Sequence, residues 1–441
     1  MVVFMFVCLV VLRSNVLVPL IFGCMAAGCV SVYLGYTWEE ILDGMVDGIT
    51  PSLEAILILL LIGMLAGTWI TCGTVPSILY YGLRLVTPTV FLPSCMLVCL
   101  ITAFIIGSWG TVGTMGIAFM GMGLTLGLPA PAVAGAIVSG AYMGEVISPL
   151  SDATNLTGAV VGENVFSVVR RVLPAAVTAG LLALILYALI GLRLSAGTDK
   201  QAVAESLAML SRSLKSQFHI SPLALLPLLI MVLCILIRLP AIPSMLLGSI
   251  AGMIQAVFLQ HTPAADVMKY AAYGYISSTG NDMVDSLLSA GGIQSMLTTI
   301  SIILIAMAFG GIMKRSGQME ALVHPLQSRL RSDGILGAAA VFTCIFMNMI
   351  LPDQYLGISL PGQMYAQAYR DRGLSKASLG AAVLGGGAVT SPLIPWNSCG
   401  FYCMSILAVS PAVYGRFALY GLLLPVITIL FGFLPKKTPP R

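Results

Sequence analysis

Long apolar runs separated by short polar connections recur from one end of this chain to the other. Val16–Gly35, Ala55–Thr71, Phe91–Ile106, Val172–Leu192, Ile293–Met313 and Val413–Leu434 come close to the roughly 20 residues a helix needs to cross a bilayer. Met115–Leu128, Ala132–Ile147, Pro222–Ile237, Met245–Leu259, Gly334–Leu351 and Ser375–Val389 add further apolar segments. Period-2 alternation is missing, which argues against a β-barrel. The pattern predicts an all-α polytopic membrane protein. Between spans, Glu39, Glu40, Asp43 and Asp47 recur at helical spacing beside Trp38, Ile41, Leu42 and Met45, as in an interfacial amphipathic helix. Gln318–Arg331 reads as another such helix. Ser195–Ile220 is the only sizeable polar linker and predicts a third amphipathic helix.

One stretch departs from this pattern. Gly135–Gly162, GAIVSGAYMGEVISPLSDATNLTGAVVG, lies among apolar segments yet holds Glu145 and Asp152. A charge in a membrane helix costs roughly 2.5–3.5 kcal/mol on insertion scales, so it persists where a binding site or water path compensates. Pro149 removes a backbone donor and disfavours helix at Ser148. Carbonyls freed there need protein, water or a ligand, because lipid offers no donor. A helix interrupted beside Asp152, Asn155, Ser148, Ser151 and Thr154 is a cation-site candidate, with Na⁺ at Asp152 and Asn155; a short extramembrane turn is the alternative.

Three other places carry polar residues at expected membrane depth: Ser108/Thr111/Thr114 in GSWGTVGTMG, Asn348/Asp353/Gln354 around Pro352, and Thr390/Ser391/Asn397 in TSPLIPWNSCG. Ser108, Thr111, Thr114 and Asn348 are read as cavity-lining, and Asp353, Gln354, Ser391 and Asn397 as cation or proton ligands. Oxygen-rich sets nearly free of sulfur and imidazole favour hard cations. A single offset of 243 positions aligns Gly67 with Gly310 and Ser148-Pro149-Leu150 with Ser391-Pro392-Leu393. It also sets Gly110-Thr111 against Asp353-Gln354. The expected organisation is therefore two inverted-topology repeats with proline-broken transmembrane helices: 1–194, a linker 195–220, 221–435, and a basic tail 436–441. The first span looks shortened, since Met1–Leu12 is too short to cross and no basic residue precedes it as in a signal peptide.

Composition sharpens the picture without changing it. Of 441 residues, 58% are hydrophobic and 9% charged, well below the roughly 25% charged of soluble domains. A net charge of +4 is explained by juxtamembrane Lys and Arg and gives no case for nucleic acid. Lys/Arg-rich stretches at 193–215, 314–331, 370–376 and the tail each favour the cytoplasmic side, yet an odd number of spans separates the first two. The ten cysteines fall in apolar segments without a partnering histidine set, so they read as small buried hydrophobes. His219, His261 and His324 fall in polar connections. No zinc-binding His-Glu-x-x-His and no nucleophile–base spacing supports an intramembrane hydrolase. No nucleotide or cofactor motif occurs, so an ion gradient rather than ATP is the expected energy source.

GSWGTVGTMG, GAYMGEVISPLSDATN, DQYLG, PGQMYAQAY and TSPLIPWNSCG, in this order from Gly107 to Cys403, resemble the NhaC-type Na⁺/H⁺ antiporter family of the ion-transporter superfamily. The resemblance implies a secondary transporter exchanging Na⁺ for protons in the cytoplasmic membrane, with some members exchanging malate and lactate. Position by position it points to Asp152, Thr154 and Asn155, and to Asp353, Gln354 and Asn397. The chain departs from the family pattern at Glu145-Val146, where the family carries Asp-Lys, and at Ala381, Leu384 and Gly385, where it carries Arg and Glu-Asp. The expected mechanism is alternating access around one carboxylate that binds either a proton or a cation. Asp152 is the first candidate, with Asn155, Ser148 and freed backbone carbonyls completing an oxygen shell and Glu145 as a proton relay; Asp353 is its second-half counterpart and Asn397 a neutral ligand. Small organic acids are the alternative cargo, with Arg238 as a candidate carboxylate partner. A non-transporting structural subunit is the reading from another class. Lipid, and a second copy of the chain as a homodimer, are the remaining expected partners.

Overall fold

The computed structural model describes residues 17–85, 87–149, 151–196, 200–237, 239–278, 285, 288–318, 332–351 and 353–433. The Met1–Leu12 segment, Leu150, Arg238, most of the Gln318–Arg331 helix, His324, Pro352 and the basic tail lie outside them. Every regular element among the described residues is helical. We number them α1 Leu17–Tyr33, α2 Trp38–Ile49, α3 Leu53–Thr71, α4 Thr74–Leu85, α5 Pro88–Thr125, α6 Ala130–Ile147, α7 Asp152–Val161, α8 Val165–Ala196 and α9 Lys200–Gln217. The second half has α10 Leu226–Leu236, α11 Ala241–Phe258, α12 Ala264–Tyr273, α13 Ile293–Arg315, α14 Asp333–Ile350, α15 Gln354–Asp371, α16 Lys376–Val383, α17 Ser398–Leu407 and α18 Leu419–Phe433. Among the described residues, four helices are long and apolar enough to cross a bilayer, and up to eight spans result if each bent helix pair counts as one. The protein is a multi-pass membrane protein.

α5 is a hairpin rather than one rod. Gly107 takes φ 77° and ψ 172°, a conformation open to a residue without Cβ, and reverses the chain there. Phe91 and Phe119, one from each arm, then meet edge to face at 6.2 Å between ring centres. A straight helix would hold them about 42 Å apart. α14 and α15 form a second hairpin, closed at its mouth by Arg372 and Asp333 at 3.8 Å. The long helix α8 shows where each mouth lies. Its Gly191 packs on Thr89 at the start of α5, while Arg171 borders Asp333 and Tyr369. Twenty residues of helix separate these two contacts, about 30 Å. The two hairpins enter the molecule from opposite ends and point their tips at its middle.

The element order repeats at the offset read from the sequence. α3 falls on α13, the α5 hairpin on α14–α15, α6 on α16, α7 on α17 and α8 on α18. A single buried apolar cluster running from Leu59 to Ile427 joins both halves. The basic stretches divide between the ends. Lys376 donates to the Gly162 carbonyl and Arg171 to Ser378 at the N-terminal end of α8, whereas Arg193 lies at its C-terminal end. The linker helix α9 packs there too, with Lys215 over the Tyr80 ring at 5.1 Å. Hence 193–215 and 370–376 do not share a side.

The acidic helix α2 starts with a reciprocal cap: Thr37 accepts from the Glu40 amide, and the Glu40 carboxylate accepts from the Thr37 amide. These bonds hold the Glu40 carboxyl below its usual range. Instead of standing apart at an interface, α2 lies directly along α13. Gly44 and Gly311 meet backbone to backbone, and a Cβ at either would collide with the other helix. Glu39, Asp43 and Asp47 remain exposed.

Candidate functional site

Four interruptions of helix converge in the middle of the molecule: the α5 tip at Gly107, the α6–α7 break, the α14–α15 tip, and the break between α16 and α17. Each leaves carbonyls without helical donors, and side chains from the neighbouring breaks supply most of them. Ser148 donates to the Phe104 carbonyl at 2.6 Å, tying the first broken helix to the first hairpin. Trp396 donates to the Met349 carbonyl at 2.7 Å and Asn397 to that of Asn348 at 3.3 Å, tying the second break to the second hairpin. Asn348 in turn donates to Gly387 O at 2.6 Å and to Thr390 Oγ1 at 3.0 Å. Gly387 lies within a π-helical turn, Leu384–Ala388, and Thr390 just after it; the turn offsets the carbonyls from ordinary helical register.

The residues expected around Asp152 arrange themselves differently from a cation shell. Thr154 donates to Ser148 O and Ser151 O, at 2.5 and 2.9 Å. Asn155 donates to Pro149 O and Ser151 O, at 3.0 and 2.9 Å. The carbonyls freed by Pro149 are thus closed by protein donors. Asp152 and Asn155 are exposed on the first turn of α7. Thr111 and Thr114 bond back to Gly107 O and Gly110 O on their own helix. Asp353 and Asn397 act as helix N-caps: Asp353 accepts from the Leu356 amide at 3.0 Å, and Asn397 from the Cys399 amide at 3.1 Å.

Glu145 occupies the centre. It is 5% exposed on the last turn of α6, and its Oε1 accepts from Gln354 Nε2 at 3.2 Å, bridging the two halves. The Gln354 amide is oriented from its other side, where Ser391 Oγ and Cys399 Sγ donate to its Oε1 at 3.2 and 2.9 Å. Glu145 Oε2 meets no hydrogen-bond partner among the described residues. The neighbouring Ser108 hydroxyl comes close to Glu145 without reaching hydrogen-bond geometry and is likewise unpartnered, as is Ser398 Oγ. Tyr355 lies within electrostatic range of Asp152, Glu145 and Asp353, so the three carboxylates share one neighbourhood. In it, Glu145 and Asp353 are buried and Asp152 faces outward.

The Na⁺/H⁺ antiporter family model matches residues 1–192 and 140–435. The chain belongs to the Na⁺/H⁺ antiporter family. The Na⁺/H⁺ antiporter NhaC of Alkalihalophilus pseudofirmus is 36% identical over 428 residues, covering 96% of this chain and 91% of that one. The arginine/ornithine antiporter ArcD of Halobacterium salinarum is 35% identical, covering 98% and 90%. The malate-2H⁺/Na⁺-lactate antiporter of Bacillus subtilis is 32% identical, covering 92% and 86%. Family membership makes the protein a transporter.

Sequence reasoning missed Cys399, Trp109 and Tyr402. Cys399 reads as a buried hydrophobe, but its thiol helps fix Gln354. Tyr402 donates to the Trp109 carbonyl at 2.7 Å and stacks on that ring at 4.8 Å between centres. Only the i, i+3 spacing of Cys399 and Tyr402 hinted at a shared face.

Proposed function

We propose that this protein is a secondary active antiporter exchanging Na⁺ for H⁺ across the cytoplasmic membrane by alternating access, with Glu145 as the exchanged charge. The observation that carries this reading is the Glu145 carboxylate itself: buried between two hairpin tips, bonded through one oxygen to Gln354, with its other oxygen unpartnered. A buried carboxylate in that state is costly until a proton or a cation joins it. One guest excludes the other, and that competition alone yields exchange. Ser108 offers a neutral oxygen beside it, and Ser398 one beside Asp353. The sequence ranked Asp152 first and Glu145 as a relay; burial and open valence support the reverse order, with exposed Asp152 attracting cations at the mouth. The repeated element order and the opposed hairpins support an inverted repeat whose halves move about this centre.

A cluster made of carboxylates, amides and hydroxyls suits a cation better than an organic anion, although relatives are named for malate, lactate, arginine and ornithine. The deciding experiment uses proteoliposomes with an internal pH-sensitive dye, adding Na⁺, Li⁺, K⁺, malate, lactate and arginine in turn. A response to Na⁺ alone among the inorganic cations and without organic acid fits the proposal. A response confined to organic solutes overturns it.

A further inference from the structure

A cavity of about 390 Å³ opens at the end of the molecule that carries the linker helix α9, lined by Ile62, Ile117, Tyr275, Gly291, Met296 and Ser405 among others. It contains none of the groups of the central cluster, yet it is aligned with that cluster along two helices. On α17, Cys399 belongs to the cluster and Ser405 to the cavity, six residues or about 9 Å apart. On the second arm of α5, Ser108 and Ile117 stand in the same relation at about 13 Å. Between these levels the space is filled. Tyr402 is fully buried, stacks on Trp109 with an interplanar angle of 17°, and donates to its carbonyl. Ile62, also fully buried, borders the cavity on one side and Gly113 on the other. A Cβ at Gly113 would stand 2.6 Å from the Tyr402 hydroxyl and 2.5 Å from Ile62 Cγ2, so the glycine makes room for both.

We propose that this cavity is the antechamber through which a small hydrated cation reaches Glu145 from the linker end, and that Trp109, Tyr402 and Ile62 form the door closed across it. The lining fits transit rather than capture. Ser289, Ser295 and Ser405 with the backbone of 274–276 and 290–291 present neutral polar groups that order water, and among the described residues no lining side chain carries a charge to trap an ion. The volume holds roughly ten waters at about 30 Å³ each. The door is held by one hydroxyl-to-carbonyl bond and a ring stack, contacts that release without breaking an ion pair. The proposal rests on the Glu145 reading for the identity of the cargo.

Thiol labelling tests the door without reference to what is carried. Ser405→Cys reports on the antechamber, and native Cys399, bonded to Gln354, reports on the far side. The probe is a membrane-impermeant, trimethylammonium-bearing methanethiosulfonate applied to the full chain in proteoliposomes, with labelling read peptide by peptide by mass spectrometry. Ser405→Cys is expected to react at least tenfold faster than Cys399. Tyr402→Ala raises Cys399 labelling tenfold or more, and Tyr402→Phe, which keeps the ring, less than threefold. Ile62→Ala opens the same route and carries the test if Tyr402→Ala fails to fold. Cys399 labelling unchanged in both truncations, or Ser405→Cys no faster than Cys399, overturns the proposal. Labelling as expected from a chain that exchanges no Na⁺ for H⁺ keeps the door and removes only the cation.

Discussion

Replacing Glu145 by Gln is the sharpest test of the central site, because it removes one charge and almost nothing else. The amide keeps the volume of the carboxylate, and its carbonyl oxygen can still accept from Gln354 Nε2. At an effective dielectric of about 20, a unit charge about 4 Å from a cation is worth about 4 kcal/mol. That corresponds to roughly three orders of magnitude in Kd. Exchange measured by dye response in proteoliposomes should fall by at least about 100-fold at physiological Na⁺. The fold should not suffer: taking away a buried charge that lacks a counter-ion leaves the melting temperature of the detergent-solubilised protein equal to wild type or higher. Asp152→Asn gives the contrast. Its carboxylate is exposed, where the same charge at the same distance is worth about 1 kcal/mol, so half-saturating Na⁺ should rise less than about tenfold. Added salt shrinks even that difference. Exchange by Glu145→Gln within threefold of wild type, beside an inactive Asp152→Asn, would refute the assignment and return the role to Asp152.

Three stability predictions follow from the contacts around the breaks. Ser148→Ala leaves the Phe104 carbonyl without its donor and should cost about 1–3 kcal/mol, read as a lowered melting temperature with Na⁺ absent. Tyr187→Phe removes the hydroxyl that bonds Ser139 and the Phe417 carbonyl; a loss of similar size, about 1–3 kcal/mol, is expected, and an unchanged melting temperature would contradict the contact. Gly311→Ala forces a methyl into the Gly44 backbone and should destabilise by about 1–3 kcal/mol, whereas Ser301→Ala, half-buried on the same helix with its hydroxyl on Leu297 O one turn back, should shift the melting curve by no more than about 1 kcal/mol.

Much of the architecture was legible along the chain. Apolar length and the lack of alternation required membrane helices, Pro149 and Pro392 marked two of the four breaks, and Ser148-Pro149-Leu150 recurs as Ser391-Pro392-Leu393 at an interval of 243 positions. These properties are local, or repeat at a fixed interval, so the primary structure carries them directly. The reversal at Gly107 was less visible. Pro88–Thr125 is compatible with helix throughout, and only the pairing of Phe91 with Phe119 shows that the chain turns back.

The site divides along the same line. The sequence by itself determined which polar residues lie among apolar helices, because a charge or amide there needs a reason and each of Glu145, Asp152, Asn348, Asp353, Gln354 and Asn397 stands out. Only the tertiary structure decided what each of them does. Asp353 and Asn397 cap helices, Thr154 and Asn155 close the carbonyls of their own break, and Gln354 is turned by Ser391 and Cys399 to face Glu145. A residue's type fixes how many hydrogen bonds it can make, but its leftover valence depends on partners up to 209 positions away. Which carboxylate keeps an oxygen free for a guest is therefore a property of the packed molecule.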